Sequence, residues 1–162
     1  MTAGALRLRA LTVEDVPALD VLERQLFGAA AWSSASLAEE IVGPGRWYVG
    51  AVRSEGADAP LVGYAGLWFD GLDAQVMTIG TAAGHQGQGV GGLLLDALVQ
   101  RARDVGAQVV LLEVRVDNEP ALRLYESRGF VRLGIRRGYY QVEGKDAWTM
   151  RLDLTDATGE RP

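Results

Sequence analysis

The chain has 162 residues, which fits one domain of residues 1–154 with a core large enough to need no staples, followed by a short polar tail over residues 155–162. It contains no Cys, which excludes disulfides, thiolate zinc sites and a cysteine nucleophile. A net charge of −5 argues against general nucleic-acid binding, and an N-terminus carrying Arg7, Arg9, Glu14 and Asp15 without a long apolar run argues for a cytoplasmic protein rather than a secreted or membrane one.

Leu6–Ala10 reads as a first short strand. Thr12 followed by Glu14 and Asp15 is a helix start, a hydroxyl cap ahead of acids in the first turn. Val16, Leu19, Leu22 and Leu26 then recur at helical spacing up to Phe27. Ser33 or Ser34 caps a shorter helix through Leu37 and Ile41, which Gly43-Pro44-Gly45 stops. Three strands are expected at Trp47–Arg53, Leu61–Phe69 and Gln75–Gly80, joined by the polar run Ser54–Ala59 and an Asp70-Gly71 turn. A long helix over Gly89–Val105 and a buried strand over Val109–Val116 follow. Asn118 caps a further helix to Arg128, and Phe130–Tyr140 with Ala147–Asp153 forms a last hairpin. Thr155–Pro162 is expected to fray. The strand before the glycines, the long helix and the next strand make one βαβ unit with parallel strands. The other neighbours read as antiparallel, so the expected fold is α/β with a mixed central sheet flanked by helices.

The chemistry begins at Gln86–Gly92, where four glycines fall in six positions just ahead of the helical run Leu93-Leu94-Leu95. Glycines let a backbone turn tightly and leave its N–H groups open to approach. A helix start adds unpaired N–H groups and the positive end of a dipole, so the stretch suits a phosphate or pyrophosphate. Gly87-x-Gly89-x-x-Gly92 matches the dinucleotide fingerprint, with Glu113 near the position of the ribose-binding acid. That fold needs several parallel crossovers, and the chain offers one. A P-loop needs Gly-Lys-Ser/Thr, and Gly92 is followed by Leu93.

Gln86-x-x-Gly89-x-Gly91 resembles the pyrophosphate loop of the Gcn5-related N-acetyltransferase (GNAT) superfamily. Asn118-x-x-Ala121-x-x-Leu124-Tyr125-x-x-x-Gly129-Phe130 resembles its second signature, and the element order from Leu6 to Leu154 is similar as well. Leu112-Glu113-Val114-Arg115, Leu124-Tyr125-Glu126-Ser127-x-Gly129-Phe130, Arg136-Arg137-x-Tyr139-Tyr140 and Ala31-Trp32-Ser33 are similar to the RimI-type members, which acetylate the N-terminal alanine of a ribosomal protein. The chain departs from that pattern at Gly80-Thr81-Ala82-Ala83, where Ala-Val-Asp-Pro is frequent, and at Gly87, where a basic residue is common. Phosphates held here are therefore expected to lean on backbone N–H groups more than on a side-chain cation.

The resemblance implies acetyl-CoA as donor and no metal; the acids and the single His are too scattered to suggest a metal site. Met77, Ile79 and Thr81 would lie along the pantetheine arm, pairing with it as an added strand does. Gln86, Gly87, Gln88, Gly89, Val90, Gly91 and Gly92 would hold the pyrophosphate, with Asn118 and Tyr125 as further cofactor contacts. Gly80 is a candidate bulge that frees one N–H for the thioester oxygen. Glu113 interrupts an apolar run, where a carboxylate is costly unless partnered and where burial favours the proton-holding form that a base near neutral pH requires. Its residues alone equally allow an ion pair with Arg115, two positions on and on the same face; the resemblance implies the catalytic role. Tyr125, by itself a core aromatic, is implied as the acid for the leaving thiolate. Asn118 most simply caps its helix, and His85 reads as a solvated loop residue. Trp32, Tyr139 and Tyr140 are candidate walls for the acceptor, although aromatic pairs in hairpins also serve as packing.

The acceptor implied is a protein N-terminal α-amine, with a ribosomal protein as the family's example. At pH 7 roughly 10% of an α-amine is neutral against roughly 0.04% of a lysine, so one modest base suits the former. Acetylation of a lysine or small amine, and acyl-CoA binding without turnover, are the alternatives. A monomer or weak dimer that binds neither nucleic acid nor membrane is expected.

Overall fold

A computed structural model of the chain describes residues 5–53, 59–140 and 145–154, with side chains outside the description at 138–140 and 145. The polar run at 54–58 and the tail at 155–162, both singled out above, lie outside the described residues.

The strands are β1 (Arg7–Ala10), β2 (Arg46–Val52), β3 (Leu61–Phe69), β4 (Ala74–Thr81), β5 (Val109–Arg115), β6 (Val131–Tyr140) and β7 (Lys145–Asp153). The helices are α1 (Val16–Phe27), α2 (Ser34–Val42), α3 (Val90–Val105) and α4 (Glu119–Ser127). One seven-stranded sheet runs in the order β1-β2-β3-β4-β5-β7-β6. β4 and β5 are parallel, through Ala74↔Val110 and Gln75↔Leu111, while β1/β2, β2/β3, β5/β7 and β6/β7 are antiparallel. The mixed sheet and the parallel β4/β5 step match the sequence reading. Most element ends differ from it by a residue or two, and α1 begins at Val16 only after a 3-10 turn over Val13–Asp15.

Contacts divide the chain into two compact units. The first comprises Met1–Trp68 and Met77–Leu98. Its core gathers Leu11, Leu19, Leu22, Leu37, Tyr48 and Tyr64, all buried. Burying a leucine of this kind contributes about 1.5–3 kcal/mol, which is why α1 turns the Leu19/Leu22 stripe inward. A 3-10 turn over Val13–Asp15 leads into α1 and is set by a capping box: Thr12 Oγ1 accepts from Glu14 N, and Asp15 Oδ2 accepts from Thr12 N at 2.9 Å. Arg9 donates two further bonds to Asp15, at 2.8 and 3.1 Å.

Asp15 is therefore held below its ordinary carboxylate pKa, first by the Arg9 hydrogen bond and then by the Thr12 N–H, against the opposing cost of burial. A depressed folded-state pKa gives stability that is present above the unfolded value and lost as pH falls through the folded one. Asp15→Asn is expected to cost about 1 kcal/mol at neutral pH. Urea melts should show that deficit shrinking below about pH 4, as first the unfolded and then, lower still, the folded carboxylate takes up its proton. A deficit independent of pH would remove the ion pair from the account.

The second unit comprises Phe69–Val76 and Val99–Pro162. Asp70 closes the turn into β4, its Oδ1 accepting from Leu72 N at 2.9 Å and Asp73 N at 2.8 Å. Those backbone donors hold the Asp70 carboxyl below its ordinary range, Asp73 foremost. β5 alternates, with Val110, Leu112 and Val114 buried and Leu111, Glu113 and Arg115 half-buried. Among the described residues no helix is long and apolar enough to cross a membrane.

Candidate active site

In the first unit β4 runs out at Thr81, and Ala82 N donates to Val62 O at 2.8 Å. A single 3-10 turn, Ala83–His85, leads into the glycine loop. Gln86 Nε2 donates to Thr81 O at 3.3 Å, which ties the loop back to the end of its strand. Gly87 and Gly89 take φ of +75° and +86°, a backbone region that side chains with a Cβ rarely enter. The space where a Cβ would project is open at both. Gly89 O accepts from Leu93 N at 3.1 Å, so Gly89 caps α3 and Val90, Gly91 and Gly92 form its first turn. First-turn N–H groups have no partner within their own helix. The loop thus offers accessible backbone and the positive end of a 16-residue helix, a fit for an anionic phosphate.

Met77, Ile79 and Thr81 are half-buried on one face of β4, where strand alternation places them together. Gly80 lies on the other face. A Cβ there would come within 2.6 Å of Leu26 Cδ1, so close packing of α1 accounts for this glycine.

Arg53 and His85 were not assigned to the site by sequence. Arg53 follows β2 directly and reaches the loop, its Nε donating to His85 Nδ1 at 3.2 Å and its terminal nitrogen to Gln88 Oε1. His85 is consequently half-buried and bonded, not the solvated loop residue expected. The available signal was the missing cation at Gly87, which invites a search for one elsewhere.

In the second unit Glu113 stands opposite Thr149 in the β5/β7 ladder. Thr149 Oγ1 donates to Glu113 Oε2 at 2.8 Å, and Arg136 on β6 approaches Oε1 at 3.5 Å. The Glu113 side chain is 12% exposed and that of Arg136 62%. Glu113 is thus paired with Arg136, and Arg115 bonds Asp117 at 3.0 Å. A carboxylate fixed by a hydroxyl on one oxygen, with the other beside a solvated guanidinium, is oriented yet still reached by water.

Asn118 Oδ1 accepts from Ala121 N at 3.3 Å, which makes it the cap of α4 as its sequence position implied. At the other end Gly129, at φ +93°, turns the chain, and Phe130 N donates to Tyr125 O at 3.1 Å. That turn brings Phe130 back onto Tyr125, ring centroids 6.0 Å apart and tilted by 59°. Tyr125 is buried, so its ring packs in the core whatever its hydroxyl does.

Trp32 sits half-buried against the first unit's core, and its backbone N–H donates at 2.9 Å to Glu23, a residue only 3% exposed. Tyr64 OH donates to the other Glu23 oxygen. Burial first, and then that bond, push the Tyr64 phenol well above its ordinary pKa, so it stays a donor. Trp32 also lines a cleft with Ser36, Glu39, Glu40 and Arg46. The side chains of Tyr139 and Tyr140 lie outside the described residues.

Residues 14–130 match the acetyltransferase (GNAT) family. The chain is 47% identical over 152 residues to N-alpha-acetyltransferase RimI of Mycobacterium tuberculosis, covering 91% of this chain and 92% of that one. It is 29% identical over 150 residues to [ribosomal protein bS18]-alanine N-acetyltransferase of Escherichia coli, covering 91% and 97%. The crystal structure of the ribosomal-protein-S18-alanine N-acetyltransferase from Escherichia coli superimposes with a TM-score of 0.82 at 28% identity, covering 94% of this chain and 96% of that one.

Proposed function

The chain belongs to the acetyltransferase (GNAT) family and is an acetyl-CoA-dependent acetyltransferase, and from that premise we infer that its acceptor is the α-amine at a protein N-terminus, as in the RimI relatives. The observation that carries this reading is likeness to an N-alpha-acetyltransferase along nearly the whole of both chains. A ribosomal protein with an N-terminal alanine is the acceptor that the Escherichia coli relatives' names suggest.

Acetyl-CoA supplies an acetyl group already activated as a thioester. The N–H groups of Gln88, Gly89, Gly91 and Gly92 bind its pyrophosphate, with Gln86, Gly87 and Val90 shaping the loop. Met77, Ile79 and Thr81 line the pantetheine arm, and Asn118 adds a contact beyond its capping role. Glu113 removes a proton from the incoming amine through water, which restores the neutral nucleophile. Thr149 and Arg136 hold that carboxylate in place for the task. Tyr125 gives its phenolic proton to the departing thiolate. Trp32, Tyr139 and Tyr140 flank the acceptor peptide.

Purified protein, acetyl-CoA and a peptide with a free N-terminal alanine and an internal lysine test the reading by tandem mass spectrometry. Acetyl on the α-amine is expected. Acetyl confined to lysine overturns the acceptor assignment, and acetyl on neither amine moves the enzyme to a small-amine acceptor. Tyr125→Phe keeps the ring that packs on Phe130, and once thermal melts establish that it is folded, kcat is expected to be lowered about tenfold or more. Unchanged turnover would return Tyr125 to a packing role.

A further inference from the structure

Glu23 breaks the pattern of its own helix. α1 turns Leu19 and Leu22 into the core, and the next residue, buried as they are, is a carboxylate. We propose that Glu23 is a positioning residue for the acceptor: by holding the backbone of Trp32 it fixes the loop between α1 and α2 in the shape that receives the peptide N-terminus. This rests on the functional reading above, in which Trp32 flanks the acceptor, and adds what holds that residue still.

Three observations converge on Glu23. Its two oxygens take donors from different parts of the first unit. Oε2 accepts from Trp32 N at 2.9 Å, and Oε1 accepts from the hydroxyl of Tyr64 on β3, a fully buried side chain. The loop is also closed by local bonds, from Gly28 N to Arg24 O, from Ala31 N to Gly28 O at 3.1 Å and from Ser36 N to Ser33 Oγ at 3.1 Å. Those bonds reach one helical turn and shape the loop, whereas the Glu23 bond ties it through Tyr64 to the sheet. Finally, the end of α1 packs on β4 beside this point. A Cβ at Gly80 would stand 2.6 Å from Leu26 Cδ1 and 3.8 Å from Phe27 Cζ and Tyr64 Cε1. The anchored loop therefore leaves α1 next to the strand proposed to line the pantetheine arm. A buried carboxylate is unfavourable unless its oxygens are hydrogen-bonded, and bonds to a charged group are stronger than neutral ones. Packing alone would be served by the leucines that α1 already uses. A loop ordered before the peptide arrives removes the cost of ordering it from the binding step.

Steady-state kinetics with an alanine-starting peptide at saturating acetyl-CoA, a CoA titration and amide exchange at Trp32 test this. Glu23→Leu, close in size and without an acceptor, should raise the peptide KM roughly tenfold or more, since a hydrogen bond to a charged group is worth that much. Its kcat and CoA affinity should stay within about threefold of wild type, as expected when only acceptor binding is touched. Glu23→Gln keeps an acceptor for Trp32 N, and its amide can donate to the Tyr64 oxygen, so its peptide KM should stay within about threefold of wild type. If thermal melts show Glu23→Leu unfolded, Tyr64→Phe takes its place. It keeps the ring, removes the donor to Oε1 and should raise the peptide KM about threefold or more with CoA affinity unchanged. The Trp32 amide should exchange slowly in wild type and in Glu23→Gln, and faster in Glu23→Leu. An unchanged peptide KM in folded Glu23→Leu, or in Tyr64→Phe where that variant stands in, overturns the proposal. So does an equal rise in the Leu and Gln variants, and so does a loss of kcat or CoA affinity as large as the rise in KM, because Glu23 would then support the fold at large. Fast exchange at Trp32 in wild type removes the anchor by itself. Wild-type protein that acetylates no peptide α-amine is a different result, which removes the functional reading whatever the Trp32 amide does.

Discussion

Replacing Glu113 by Gln should lower kcat for acetyl transfer by about a hundredfold or more, with CoA affinity unchanged. The carboxamide keeps the size of the side chain and can still accept from Thr149 Oγ1, the 2.8 Å bond that fixes the group in the ladder. Arg136, 62% exposed, loses a partner but keeps its water, so the fold has little reason to change. What disappears is the group proposed to take a proton from the amine. The variant then depends on amine that is already neutral, and its rate should climb about tenfold per pH unit until the α-amine pKa near 8 is passed. The deficit against wild type should be widest at low pH. Steady-state rates across pH with an alanine-starting peptide, beside a CoA titration, check both parts. Equal rates at every pH would take Glu113 out of the chemistry and leave it as a sheet ion pair.

The second large effect is expected at Gly89, where Val should abolish measurable CoA binding. Two costs combine. Gly89 holds φ at +86°, and a β-branched residue there pays at least about 1–2 kcal/mol of backbone strain. The branch would also stand over the N–H groups proposed to meet phosphate oxygens. Losing two hydrogen bonds to a charged group weakens binding by more than about a hundredfold. Gly91 separates the two costs, because it lies within α3 and is not among the positive-φ glycines. Gly91→Val should weaken binding through access alone. Thermal melts establish whether each variant is folded before calorimetry is read. Ordinary CoA binding by a folded Gly89→Val protein would remove the loop from the phosphate site.

Much of the fold was legible because its signals are local. The Thr12, Ser33 and Asn118 caps, the glycine stops and the two periodicities each act within a few residues of where they are written. Leu61–Phe69 was read to its ends because turn-forming residues bound an unbroken apolar run. The site was legible in part, and for a different reason. Glu113 and the glycine loop announce themselves as exceptions to their surroundings, an acid in an apolar run and glycines at a helix start. Their partners do not, since Thr149 and Arg53 look like ordinary strand residues.

By itself, then, the sequence determined the order and type of the elements, the mixed sheet, the capped helices and the positions of Glu113, Tyr125 and the loop. These follow from backbone preferences and hydrophobic period, which short stretches of chain carry on their own. Only the tertiary structure decided that Glu113 is held by Thr149 and Arg136, and that Arg53 reaches His85 and Gln88. Those pairs are separated by 36, 23, 32 and 35 positions. They depend on strand register and on the irregularity after Ala51. A one-residue slip in register turns every side chain of a strand to the other face, and register is set by the packing of the whole sheet rather than by any one segment.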